Sequence, residues 1–355
     1  MPGIPLFPRP LFPRPHRLPS ASPLHLLTAV NARKGAGSSP TGVVGRRLAR
    51  LLLAVGDRVR FLAEPEQAAD WPLGTEVVEG SVTRPAEQAG AFAGTDTLFI
   101  AGAVPATVRE VLGLARAAGT RRVVTLSSHG PEHEAAYPPE TWFWLAVERA
   151  VEAAGMEWTH IRPSAVMGAV LEGTYPATGS DWPETVRLEK TVREAFLDDG
   201  HYPFVHEEDL AAVAATALRT ADHVHTVLEA VGPPLATRDR LESIARATGR
   251  PITAVGLTPE AGRDAWRAQG WPDDGIEVTL FALREYALHL DELTQWTLDQ
   301  RPTLTDLTGR PPRTFDDWAE EHVHLFRRAG APNGGPRPGA CPRATRTRPG
   351  PGPVQ

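Results

Sequence analysis

The chain has 355 residues, of which 41% are hydrophobic and 23% charged, and a formal net charge of −6; this is the balance of a globular protein with one large or two moderate domains. No apolar run approaches the ~18 residues that would span a bilayer, which speaks against a membrane protein, and the single cysteine, Cys341, excludes an intrachain disulfide and fits a reducing, cytoplasmic compartment. Both ends are basic and free of acid (Arg9, Arg14, Arg17, Arg33 and Lys34 at the start; Arg337, Arg343, Arg346 and Arg348 at the end), so the body between them is more acidic than the whole-chain charge and repels nucleic acid.

The opening stretch, MPGIPLFPRPLFPRPHRLPSASP, repeats LFPRP and is too rich in proline for a helix. Residues 1–34 and 329–355 therefore read as disordered tails. GAGSSPTGVVGRRL (35–48) follows, and Leu48, Leu51, Leu52 and Val55 lie on one helical face that Gly56 ends. RVRFLA (58–63), EVVEG (76–80), DTLFIAGA (96–103) and RRVVTLSS (121–128) read as strands, with an amphipathic helix, ATVREVLGLARAAG (106–119), before the last. A helix, ETWFWLAVERAVEAAG (140–155), and a strand, EWTHIRP (157–163), come next. Such alternation predicts a doubly wound parallel sheet with helices on both faces. The second half is less regular. EEDLAAVAATAL (207–218), TRDRLESIARATG (237–249), VTLFALREYALHLDELTQWTL (278–298) and FDDWAEEHVHLF (315–326) read as helices, TVLEAVG and PITAVGL as strands. Asp181-Trp182 and GWPDDG (270–275) read as loops of a pocket lid. Residues 35–328 form one domain on this reading, with a smaller, mainly helical substrate cap within 165–328.

A dinucleotide-binding turn needs glycines so that the backbone can approach the pyrophosphate, and a following helix that offers free N–H groups. Thr41-Gly42-Val43-Val44-Gly45 before an amphipathic helix supplies the second half of that device. The first half is altered. NARKGAGS (31–38) stands where a buried apolar strand belongs. LHLLTAV (24–30) offers itself as that strand, at the cost of a longer turn. The abrupt change near Thr41 also raises a shifted reading frame or a misassigned start as the source of the residues before Ser39.

The ordered set TGVVGRRLARLLL, FAGTDTLFIAG, ARAAGTRRVVTLSSHG, VERAVEAAGMEWTHIRPSAVMG and PFVHEEDLAAVAATAL resembles the NmrA-like, atypical short-chain dehydrogenase/reductase family, and LTGRPPRTFDDWAEEH resembles its actinobacterial members. The resemblance implies an extended Rossmann fold with NAD or NADP at the carboxyl ends of the strands. The family's turn reads G-x-x-G-x-x-G; here Ser39 replaces the first glycine, followed by Gly42 and Gly45. Glu64, ending the second strand, favours NAD, because a carboxylate bonds ribose hydroxyls and repels the 2′-phosphate of NADP; Arg46 and Arg47 are the cations that would offset it. By the resemblance, Ser81 and Val82 lie on the adenine side, Ala101 and Gly102 let the ribose pass, and Ser127 ends the strand beside the substrate.

Catalytic relatives place Tyr-x-x-x-Lys on the next helix as a proton relay. Here Trp144-x-x-x-Glu148 occupies the place: indole is no acid near pH 7 and glutamate carries the wrong charge. Tyr202 and His206, near the expected cleft, are the substitute proton donors. His129 and His133 are four apart, but Gly130-Pro131 between them precludes a helical two-histidine zinc site, and no metal is expected. The reading is an NAD(P)-dependent oxidoreductase moving hydride to or from a small carbonyl, enone or imine. A non-catalytic redox sensor with a regulatory protein partner, and a paralogue with a damaged cofactor site, stay open. A homodimer is compatible with either state.

Overall fold

The computed structural model describes residues 22–28, 41–64, 71–172 and 182–327. The tails other than Pro23 and its neighbours, Ser39 and Asp181 lie outside them. In chain order the elements are β1 (Leu24–Thr28), α1 (Thr41–Ala54), β2 (Arg58–Ala63), β3 (Thr75–Glu79), β4 (Thr97–Ile100), α2 (Val108–Ala117), β5 (Arg122–Leu126), α3 (Trp144–Glu152), β6 (Glu157–Pro163) and β7 (Ala165–Val166). Then come α4 (Ala169–Glu172), α5 (Trp182–Leu188), β8 (Thr191–Ala195), β9 (His201–Val205), α6 (Glu207–Arg219), β10 (Thr226–Ala230), β11 (Pro234–Ala236), α7 (Thr237–Thr248) and β12 (Thr253–Leu257). The chain closes with α8 (Pro259–Ala268), α9 (Asp273–Leu288), α10 (Leu290–Asp299), α11 (Leu304–Thr308) and α12 (Phe315–Glu321).

Seven strands form one sheet in the order β10-β6-β5-β4-β1-β2-β3, and every pairing in it is parallel. Successive side chains of a strand point to opposite faces, and here both faces are buried. Leu27, Phe61, Phe99 and Val124 meet α1 and α6 on one side. Leu26, Leu62, Leu98 and Val123 meet α2 and α3 on the other. This double cover explains why every residue of β4 and β5 is buried, Thr97, Arg122 and Thr125 included.

The first strand is Leu24–Thr28, in the middle of the sheet. The domain therefore begins at or before Leu24, which corrects the boundary drawn after residue 34. This is the strand that LHLLTAV (24–30) offered, and it carries a histidine. His25 is buried, yet Nδ1 meets Thr97 Oγ1 at 2.6 Å and Nε2 meets Asp57 Oδ2 at 3.3 Å. Burial lowers its pKa, so the ring is held neutral.

The cap is more mixed than its pattern suggested. It holds a three-stranded sheet, β11-β9-β7, and a two-stranded one, β12-β8, beside its helices. The segment from Val278 to Leu298 is two helices, α9 and α10, parted at His289 (φ −122°, ψ 33°). No residue of α10 is buried. Trp182 and Trp271, expected in lid loops, are instead core residues: each is buried, and Trp182 Nε1 donates to Glu194 Oε1 at 3.0 Å. Among the described residues no helix is long and apolar enough to cross a membrane.

Candidate active site

The chain runs outward from β1 to β2 and β3, then returns to place β4 on the other side of β1. That reversal opens a crevice at the carboxyl ends of β1 and β4, where open α/β sheets bind ligands. Thr28 ends β1, and its Oγ1 both donates to Ala101 O and accepts from Ala101 N, each at 3.0 Å. This bridge ties the two strand ends into one floor. Gly102 follows with φ +77°, a left-handed conformation that glycine adopts without strain.

Helix α1 starts at Thr41, so Thr41, Gly42, Val43, Val44 and Gly45 form its first turns rather than a loop before it. Its amino end lies at the same edge as the end of β1, and its first N–H groups lack helical partners. Val44 is fully buried in the core. Gly45 has a packing role: a Cβ there would stand 3.0 Å from Phe61 Cε2, so its absence lets α1 lie close on β2. This is the duty of the last glycine in a dinucleotide turn.

Glu64 follows β2 and is half-buried. Ser81 and Val82 follow β3, both buried. The Ser81 hydroxyl is engaged locally, 2.9 Å from Thr83 Oγ1, and Val82 O accepts from Thr107 Oγ1 at 2.7 Å. Ser127 continues β5, donating its N–H to Ile161 O at 2.8 Å. Its Oγ is buried with no hydrogen-bond partner. A buried hydroxyl left unsatisfied is costly, and this one lies at the edge where a ligand would supply the missing partner. The small strand ends, the close-lying α1 and this orphaned hydroxyl fit a dinucleotide. Ser39 lies outside the described residues.

Arg47, considered as a cation for a 2′-phosphate, is committed to carboxylates of the fold. It is buried against α6 and α12, with Nη1 2.6 Å from Glu208 Oε2, Nη2 3.6 Å from Glu207 Oε1, and a further bond to Glu321. Arg46 lies over the Trp71 ring at 5.0 Å. His206, considered as a proton donor, is the N-cap of α6: its Nδ1 accepts from Glu208 N at 3.0 Å. Burial, aided by the Arg47 charge, lowers its pKa to about 3, so it is neutral near pH 7 and its remaining N–H is not an acid of useful strength. Tyr202 packs edge-on to Tyr286 at 4.7 Å, inside the cap.

Helix α3 carries Trp144 and Glu148. Glu134 caps its start, accepting from the N–H groups of Phe143, Trp144 and Leu145 at 2.8, 3.1 and 3.0 Å. Glu148 is buried and bound at both oxygens by Arg162 of β6, Nε to Oε1 at 3.0 Å and Nη2 to Oε2 at 2.7 Å. Arg162 Nη1 also reaches Glu132 at 2.9 Å and Glu229 of β10 at 3.4 Å. These carboxylates push the guanidinium pKa further up, against the burial that would lower it. The relay position is thus filled by a structural ion pair.

Beyond Ser127, His129 donates its N–H to Pro163 O at 3.1 Å, which holds it at the ends of β5 and β6. Its Nδ1 is 3.8 Å from Glu229 Oε2, and its ring lies 4.7 Å from that of Trp296 on α10. Sequence reasoning weighed His129 as a metal ligand alone. Its link to Glu229 joins two strands that are distant in sequence and carries no local signal. Among the described residues no cluster of three His, Cys, Asp or Glu side chains is placed to hold a metal.

The sequence pattern of the NAD(P)H-binding family matches residues 40–221. A Streptomyces griseus protein, (4-alkanoyl-5-oxo-2,5-dihydrofuran-3-yl)methyl phosphate reductase, is 32% identical over 290 residues, spanning 81% of this chain and 96% of its own. The NAD(P)H azoreductase of Xenophilus azovorans is 27% identical over 297 residues, with 81% and 96% covered. The NADPH complex of an Escherichia coli NADPH-dependent quinone oxidoreductase shares the fold, with a TM-score of 0.60 at 20% identity over 85% of this chain and 100% of its own.

Proposed function

The chain belongs to the NAD(P)H-binding family, and from that premise we propose that it is a reductase delivering hydride to a small conjugated enone, with isolated carbonyls and imines as poorer acceptors. The observation that carries this reading is Glu148, locked by Arg162 where relatives with a proton relay have lysine. Hydride addition to an isolated ketone leaves a strongly basic alkoxide, which needs an acid close by. Addition to a C=C conjugated with a carbonyl leaves an enolate whose charge is already spread. A crevice without a phenol–lysine relay suits the second acceptor better. The name of the Streptomyces relative describes such a group, a ring C=C with one carbon bonded to both a ketone and a lactone carbonyl.

A bound reduced nicotinamide supplies the hydride. The chain would bind and orient it: the first N–H groups of α1 would hold the pyrophosphate, Ser81 and Val82 the adenine end, Ala101 and Gly102 would admit the ribose, and the unpartnered Ser127 hydroxyl would take a polar group of the nicotinamide or substrate. Glu64 favours NAD over NADP, since the Arg47 cation is already committed to three carboxylates. Calorimetric titration of the full chain with NADH and NADPH, followed by an absorbance screen of enones, ketones and imines, tests the reading. Binding of NADH ahead of NADPH with oxidation fastest on enones is expected. Failure to bind either nucleotide overturns it.

A further inference from the structure

We propose that His129 and Glu229 form the proton-donating pair of the crevice, standing at the ends of β5 and β10 in place of any acid on α3; the proposal rests on the reductase reading. Three observations converge. His129 is anchored to β6 through its backbone, two residues past the buried, unpartnered Ser127 hydroxyl. Its Nδ1 and Glu229 Oε2 are both buried, face each other at 3.8 Å, beyond hydrogen-bond distance, and neither has a hydrogen-bond partner. The His129 side chain is nonetheless 26% exposed, so the accessible part of the ring is the part away from Glu229, with Trp296 of α10 against it.

A carboxylate behind one imidazole nitrogen fixes the tautomer and stabilises the imidazolium, leaving the other nitrogen to exchange a proton with substrate. Such contacts are commonly long before ligand binds and tighten with it. Glu132, Glu148 and Glu229 surround the single cation of Arg162, so carboxylates outnumber the cation at this edge. The groups around the pair are Arg162 from β6, with Glu148 of α3 and Glu132 of the turn after β5 bound to it, and the uncharged Trp296 from α10. In the step itself, a reduced nicotinamide would give up its hydride and be oxidised; the hydride bonds to the acceptor's β carbon, the C=C pair becomes the bond between the α and carbonyl carbons, and the C=O π pair moves onto oxygen. The His129 Nε2–H bond breaks, an O–H bond forms on the enolate oxygen, and neutral imidazole remains to be reprotonated by solvent. The enol then returns to the ketone.

His129→Gln and Glu229→Gln in the full chain test the pair. Both are expected to bind reduced nucleotide within a few-fold of the parent. His129→Gln is expected to lose about 10²-fold in kcat together with the decline of kcat at rising pH that marks an imidazolium donor. Glu229→Gln is expected to keep that decline but move it to lower pH. The same shift is expected in the cofactor-free protein, where the His129 ring is followed by NMR in histidine-labelled chain and assigned by its loss in His129→Gln. Parent-like kcat and pH profile in His129→Gln, or a His129 titration unmoved by Glu229→Gln, overturns the pair while leaving the reductase reading standing. A parent chain that binds nucleotide but reduces no acceptor removes that reading, and the role of the pair with it.

Discussion

Helix α3 and strand β10 each bring one glutamate to Arg162, and the two are held very differently. Glu148 is gripped at both oxygens, at 3.0 and 2.7 Å, and is buried. Glu229 touches the same guanidinium at 3.4 Å through one oxygen and leaves the other facing His129. A buried charge with a full set of partners is a structural part, costly to disturb. A carboxylate with an unused oxygen beside an accessible imidazole is available for chemistry. On the proposed reading, the position where relatives carry a proton relay serves here as scaffold, held by Arg162, and the proton donor stands at the strand ends.

The sharpest way to break that contrast is to restore the relay. Trp144→Tyr with Glu148→Lys would set a lysine against Arg162 in a buried site. A loss of roughly 3–5 kcal/mol in urea unfolding is expected, with no gain in turnover; a stable, faster enzyme would show that α3 is not scaffold. The histidines divide along the same line. His206 is scaffold, with a folded pKa depressed to about 3. Its contribution is fully present above the unfolded value near 6.5 and is lost as pH falls toward 3, on the order of 3 kcal/mol by pH 4. His25 and His160, also lowered by burial, add in the same direction. His206→Asn keeps a capping side chain and removes the titration, so its acid unfolding midpoint should lie below that of the parent. Next in size is Gly45→Val, which presses on the Phe61 ring. About 1–3 kcal/mol of stability should be lost, and nucleotide affinity with it, as α1 lifts from β2. The smallest effect is expected from Glu64→Arg. Calorimetry should show the NADH-to-NADPH preference falling on the order of tenfold, with stability unchanged.

Elements whose apolar pattern is local were legible in the sequence. β2 and β6 appear with the boundaries their runs suggest, and Ser127 was placed at a strand end because a buried run stops there. β1 was harder, because His25 interrupts the run and proline-rich sequence precedes it. Its burial is compensated by Thr97 and Asp57, which are far away in sequence. The break between α9 and α10 falls at His289, without glycine or proline to announce it. Trp271 sits beside prolines and aspartates that suggest a loop, yet its ring fills the core with Trp266 and Ile276. At the site, the motifs give the positions expected to hold a nucleotide, but the grip of Arg162 on Glu148 and the approach of His129 to Glu229 across β6 join segments distant in sequence. Neither contact leaves a periodic trace in the chain.

The most direct measurement follows the hydride itself. The full chain is incubated with nicotinamide cofactor deuterated at the transferred position and an enone bearing an α-acyl group, and the product is analysed by NMR. One deuterium on the β carbon is expected, with the reduced cofactor consumed in equal amount. Cofactor bound but not oxidised, or a reduced product without deuterium, would contradict a hydride-transferring crevice at these strand ends.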